Sequence, residues 1–76
     1  MTTNQLTLRL HGHPDRDISH AQNDDGTPCE PEIQHLVSEM DAMIRDCYIE
    51  EFDGAYVVAD ADTEDTIGYL WVTKGA

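Results

Sequence analysis

Positive charge is what this sequence has least of. Four Lys and Arg residues stand against sixteen Asp and Glu, a formal net charge of −12, and lysine occurs once, at Lys74. Such a chain repels nucleic acid and anionic membrane surface, which argues against both as direct partners. A basic protein surface would instead attract it. Self-repulsion of this size also opposes compaction and makes folding salt-dependent. Long apolar runs are missing too, so no membrane span is expected, and no basic segment leads into an apolar one as in a secretion signal. Cysteine is scarce: Cys29 and Cys47 are expected near opposite ends of a helix, roughly 27 Å apart at 1.5 Å per residue. That is beyond disulfide reach, so free thiols and a reducing, cytoplasmic compartment are expected.

Catalytic signatures are also missing. No glycine elbow or oxyanion-forming loop accompanies either cysteine, and carboxylates are so common that no pair stands out as general acid and base. The chain reads as a binding protein, not an enzyme, with no cofactor. No closed zinc motif is present, although His11, His13, His20 and Cys29 supply ligand types from one loop; solvated loop histidines are the plainer reading. His35 falls on the polar face of the helix. Asp60-x-Asp62-x-Glu64 begins like a calcium loop, but the sixth position is Asp65 where glycine is required and the twelfth is Trp71 where glutamate is. No metal site is expected.

What is present is one strong period. Ile33, Leu36, Val37, Met40, Met43, Ile44 and Cys47 recur at offsets of 0, 3, 4, 7, 10, 11 and 14, which predicts an amphipathic helix over Pro31–Cys47. Glu32, Glu39 and Asp46 then form a row on its outer face, about 10.5 Å between neighbours. Thr27-x-x-Glu30 reads as a capping box, with Pro31 as first helical residue the alternative.

Before the helix, Leu6, Leu8 and Leu10 alternate with Thr7 and Arg9, a half-buried strand over Gln5–Leu10, and residues 11–27 read as a long loop. After it, Tyr48–Phe52 and Ala55–Ala61 flank Asp53-Gly54, a strong two-residue hairpin signal, and Thr66–Thr73 is a last strand. The expected fold is a single α+β domain over residues 1–76: an antiparallel sheet in β-α-β-β-β order with the helix on one face. A chain of this size buries only about 60% of its unfolded surface, so modest stability is expected.

One helix covers one sheet face. With Val57, Ala59, Leu70 and Val72 toward the helix, Tyr56, Val58, Tyr69 and Trp71 point away, and such a face is a binding patch or a homodimer interface. The alternatives are the reverse assignment, or the long loop folded across that face.

Twelve of the sixteen acids lie between residues 30 and 65, opposed there only by Arg45. Asp60, Asp62 and Glu64 alternate, and in extended chain would share a face at intervals of about 6.7 Å. With Glu32, Glu39, Asp46, Glu50 and Asp65 they are the candidate acidic partner-binding residues; Tyr56, Tyr69 and Trp71 are the candidate aromatic ones. A general salt adaptation of the surface is the competing explanation, consistent with ten Asp to six Glu and a single Lys.

In size, charge and layout across residues 4–74 the chain resembles small inhibitors encoded by phages and mobile elements: anti-CRISPR proteins, and DNA-mimicking inhibitors of restriction enzymes and uracil-DNA glycosylase. That resemblance implies docking in a Lys/Arg-lined DNA channel of a nuclease or CRISPR effector subunit, with the aromatics as desolvated anchors.

Overall fold

A computed structural model describes residues 4–53 and 55–73. The expected α+β architecture is present: a five-stranded antiparallel sheet with one helix. The elements are β1 (Gln5–Leu10), β2 (Arg16–Asp17), α1 (Glu30–Met40), β3 (Cys47–Phe52), β4 (Ala55–Asp60) and β5 (Thr66–Thr73), in the sheet order β2-β1-β5-β4-β3.

The alternation of β1 sets the core face. Leu6, Leu8 and Leu10 are buried and lie across from Val72, Leu70 and Gly68 of β5. Gly68 is there because nothing larger fits: a Cβ would stand 2.7 Å from the carbonyl oxygen of Arg9. Tyr56 and Val58 pair with Leu70 and Gly68, so they belong to this same face. The expected facing therefore holds for β5 and is reversed for β4 at Tyr56, Val57 and Val58, whereas Ala59, after a register shift that follows Val58, is buried as expected. Every β4 residue from Ala55 to Ala59 is apolar or aromatic, so a period of two has no polar partner to orient it.

Residues 11–27 are more ordered than a plain loop. They contain the fifth strand, β2, which pairs with Thr7 and Leu8. Ile18 and Ala21 are fully buried in the same core as the β1 leucines, so this segment packs on the helix side and not across the opposite face. The amide of Leu6 donates to Ser19 Oγ, and Gln22 Nε2 donates to the carbonyls of Asn4 and Ser19.

The helix is shorter than its apolar stripe. Ile33, Leu36 and Val37 are buried, but α1 stops at Met40 with Asp41 as its extended C-cap. Asp41 Oδ1 accepts from the Met43 amide, and its carbonyl accepts from Ile44, so the chain turns instead of continuing. No basic residue in the last turn offsets the carbonyl end of the helix dipole, and an acid there is unfavourable. Met43 is consequently 88% exposed, whereas Ile44 and Cys47 still reach the core from the connection and from β3. Asp46 is thus not on the helix, and the row it was expected to form with Glu32 and Glu39 does not exist.

The helix start also differs. Cys29 is the N-cap without a side-chain cap bond, and Pro31 is the second helical residue. Thr27 bonds back to Asp25 instead, and Glu30 reaches across to β3, accepting from the Ile49 amide at 2.9 Å. Gln34 Nε2 donates to the Cys47 carbonyl at 2.8 Å. These bonds bring Cys47 back beside the first turns of α1, which overturns the expected 27 Å span between the cysteines; both are free thiols. In the β3–β4 hairpin Phe52 pairs with Ala55, and Asp53 has φ 53°, as a two-residue turn requires. Gly54 lies outside the described residues. Among the described residues no helix is long and apolar enough to cross a membrane.

Candidate protein-binding surface

The strand order separates charge. β3 and β4 form one edge of the sheet with α1 beside β3, and these elements with their connections carry the twelve acids between residues 30 and 65, with Arg45 the sole cation among them. β5, the central strand, has no charged residue, and the β1–β2 side holds Arg9 and Arg16 together with Asp15, Asp17, Asp24 and Asp25.

Within the acidic half the candidate residues have different situations. Glu32 and Glu39 are exposed on α1, with Glu39 3.1 Å from His35 one turn earlier. Asp46 is exposed in the α1–β3 connection, its carbonyl accepting from the Ala61 amide. Glu50 is exposed on β3. Asp60, Asp62 and Glu64 do not form an extended ladder. They belong to the tight β4–β5 turn, in which Glu64 has φ 64° and its amide donates to the Asp60 carbonyl. Asp60 Oδ1 accepts from the Asp62 amide at 2.8 Å and the Thr63 amide at 3.4 Å, so this carboxylate holds the turn while Asp62, Glu64 and Asp65 are exposed. The expected extended row of Asp60, Asp62 and Glu64 is therefore ruled out.

The sheet face away from the core carries Thr7 and Arg9 of β1, Tyr69 and Trp71 of β5, Val57 of β4, and Tyr48, Glu50 and Phe52 of β3. Among the described residues no helix or strand lies over it. The Arg9 guanidinium sits 5.4 Å from the Trp71 ring centre and binds Asp15 through two hydrogen bonds of 2.7 and 3.0 Å. That pairing raises the Arg9 pKa and lowers that of Asp15. His11 and Tyr69 rings are tilted by 54° with centroids 5.7 Å apart. Phe52 is 74% exposed and Tyr69 46%.

Of the three candidate aromatics, Tyr69 and Trp71 are on this face and Tyr56 is not. Tyr56 packs on the core side, where desolvation and then a hydrogen bond to Glu51 raise its hydroxyl pKa. Sequence reasoning missed Tyr48, Val57 and Phe52. The signal was available: a two-residue turn at Asp53-Gly54 pairs Phe52 with Ala55, Glu50 with Val57 and Tyr48 with Ala59, which puts all six on one face. Desolvation, then the charges of Glu50 and Glu64, raises the Tyr48 hydroxyl pKa, so acids adjoin the aromatic face at its β3 end.

Elsewhere the loop histidines are not gathered: His11 lies against Tyr69 in a tilted ring pair, and His13 Nε2 lies 3.7 Å from the Asp41 carboxylate. Among the described residues no group of three or more His, Cys, Asp or Glu is arranged to hold a metal ion. A shallow polar dent between Asn4, Ser19, Gln22 and Asn23 is bordered by Asp25, whose carboxylate is engaged by the Thr27 amide and hydroxyl. No family model, curated protein or solved structure matches this chain.

Proposed function

We propose that this protein is a small acidic inhibitor that docks its α1–β3–β4 half on a basic, nucleic-acid-binding surface of another protein, of the nuclease or CRISPR-effector kind, and keeps nucleic acid out. It acts as a binding protein, without catalysis, cofactor or direct contact to nucleic acid. The observation that carries this reading is the uneven spread of charge: twelve acids against Arg45 in one half, and four acids against Arg9 and Arg16 on the other side. General salt adaptation spreads acids over the whole surface and has no reason to gather most of them at one sheet edge. A field with this polarity orients the molecule during approach and speeds encounter with a cationic groove.

Size is compatible with the proposal. A standard interface buries roughly 800 Å² per partner, a modest share of the 5103 Å² this chain exposes. The aromatic face adjoins the acidic edge and supplies the apolar centre that affinity needs, with Tyr69 and Phe52 as exposed anchors. Mimicry here is of net charge and not of phosphate spacing.

The test is capture of bacterial proteins on the tagged chain, with and without excess duplex DNA, at 0.1 and 0.5 M KCl. The expected result is a nucleic-acid-binding protein that DNA displaces and high salt releases, because the screening length falls below the ~10 Å it has at 0.1 M. A variant carrying Glu50→Lys, Asp62→Lys, Glu64→Lys and Asp65→Lys, with Asp60 kept for the turn, should lose capture while remaining folded. Undiminished capture by that folded variant, or a partner indifferent to DNA and salt, overturns the reading.

A further inference from the structure

The free edge of β3 is half closed and half open. In an antiparallel ladder, residues alternate between those that bond to the neighbouring strand and those whose N–H and C=O point outward. Three hydrogen bonds fix the phase. The Ala61 amide bonds to the Asp46 carbonyl, which makes Asp46, Tyr48, Glu50 and Phe52 the inward residues. The Ile49 amide is taken by Glu30 and the Cys47 carbonyl by Gln34, which makes Cys47, Ile49 and Glu51 the outward ones. Helix α1 thus covers the first part of the edge. Beyond it, the carbonyl of Ile49 and both backbone groups of Glu51 have no partner among the described residues.

Side chains around this opening are acidic on both faces of the sheet. Glu51 lies on the core side, across from Tyr56; Glu50 lies on the aromatic side next to the exposed Phe52; Asp53 follows in the turn. A second copy of this chain is a poor occupant. Antiparallel self-pairing centred on Glu50 or on Glu51 sets like charges directly opposite each other, which is destabilising.

We infer that the open half of β3 accepts an extended, basic segment of the partner protein as an added strand. The Glu51 N–H and C=O would bond to one residue of that segment, whose side chain lies beside the Glu51 carboxylate. Its two neighbours would face Glu50 and Phe52. In an antiparallel approach the complementary segment reads apolar–cation–cation, as in Val-Lys-Arg. Main-chain bonds then add affinity and the acids select against neutral or acidic strands. This deepens the docking reading above and rests on it.

The test uses the full-length chain and two end-blocked peptides: one with Val-Lys-Arg inside a run of threonines, the other with the same Lys-Arg flanked by prolines, which cannot complete a strand. Amide hydrogen exchange of the free chain should show a fast Glu51 N–H. The threonine peptide should slow it at least tenfold, and the proline peptide should not. A full-length chain joined at Cys47 and carrying N-methyl-Glu51, which alters only an outward group, should lose the threonine peptide's advantage. Equal binding of both peptides without protection at Glu51 overturns the strand-addition inference and leaves charge docking standing. A Glu51 amide already protected in the free chain overturns it as well. Binding of neither peptide at low salt overturns it and counts against charge docking too.

Discussion

The Asp60 carboxylate accepts the Asp62 amide at 2.8 Å, so two acids that look equivalent in the sequence do opposite things: one holds the β4–β5 turn and the other faces solvent. Asp60→Ala leaves the Asp62 and Thr63 amides without their acceptor and should cost about 1 kcal/mol. Asp60→Asn keeps an oxygen acceptor and should cost less. Asp62→Lys should stay within about 0.5 kcal/mol of the parent, as exposed substitutions do. Urea denaturation of the three variants checks the order. Equal effects at both positions would show that the turn does not depend on the Asp60 side chain.

Gly68 governs how closely β1 and β5 approach. Gly68→Ala puts a methyl group 2.7 Å from the Arg9 carbonyl oxygen and 3.2 Å from Leu10 Cα, both backbone atoms that cannot swing aside. Overpacking of this kind costs about 1–3 kcal/mol. For a chain of this size each kcal/mol lowers the melting temperature by about 4–8 °C. Calorimetry should therefore show one of the larger losses of any single-methyl addition, whereas an unchanged melt would mean that the two strands separate at little cost.

The two thiols should report differently on the fold. Cys47 is 2% exposed, and burial, reinforced by Asp46, Glu30 and Asp60, pushes its thiol up to about 11 from an ordinary 9.0. A raised folded pKa means that the protonated thiol's contribution is complete below pH 9 and is lost as pH climbs toward 11. Iodoacetamide at pH 8 should label the partly exposed Cys29 first, and Cys47 only through opening of the α1–β3 contact. Labelling of Cys47 as fast as an unfolded control would contradict its burial.

Those contacts also show what the sequence made legible. The β1 leucines, the Asp53-Gly54 turn and the uncharged last strand each carry a local signal, and β1 and β5 have their expected bounds. Ile18 and Ala21 were not legible as core, because two isolated apolar residues in a polar stretch have no period; only tertiary packing on the leucines reveals them. The stripe through Met43, Ile44 and Cys47 overstated the helix, since turn and strand positions that return to the same core mimic a helical period. At the candidate surface the acidic segment was legible as composition. Its gathering at one sheet edge depends on strand order, and the role of Asp60 depends on a hydrogen bond, neither of which has a sequence signature.

Stability should pass through a maximum as the pH is lowered from 7. Protonation first relieves the self-repulsion of a chain with net charge −12, which favours the folded state. A second effect opposes it at lower pH. Asp17 is held below the usual 3.8 by the Ser19 hydroxyl and amide, and Asp25 likewise by those of Thr27. Asp15 is held low by its hydrogen bonds to Arg9. Depressed folded pKa values contribute stability that is present above the unfolded value and disappears as pH falls through the folded one. All three lie before α1, in the segment whose Ile18 and Ala21 complete the core. Thermal melts from pH 7 to pH 2 should therefore rise toward pH 4–5 and fall below about 3.8, and amides of residues 15–27 should lose exchange protection before those of β4 and β5. A melting temperature that keeps rising to pH 2 would mean that these side-chain turns contribute nothing beyond charge relief.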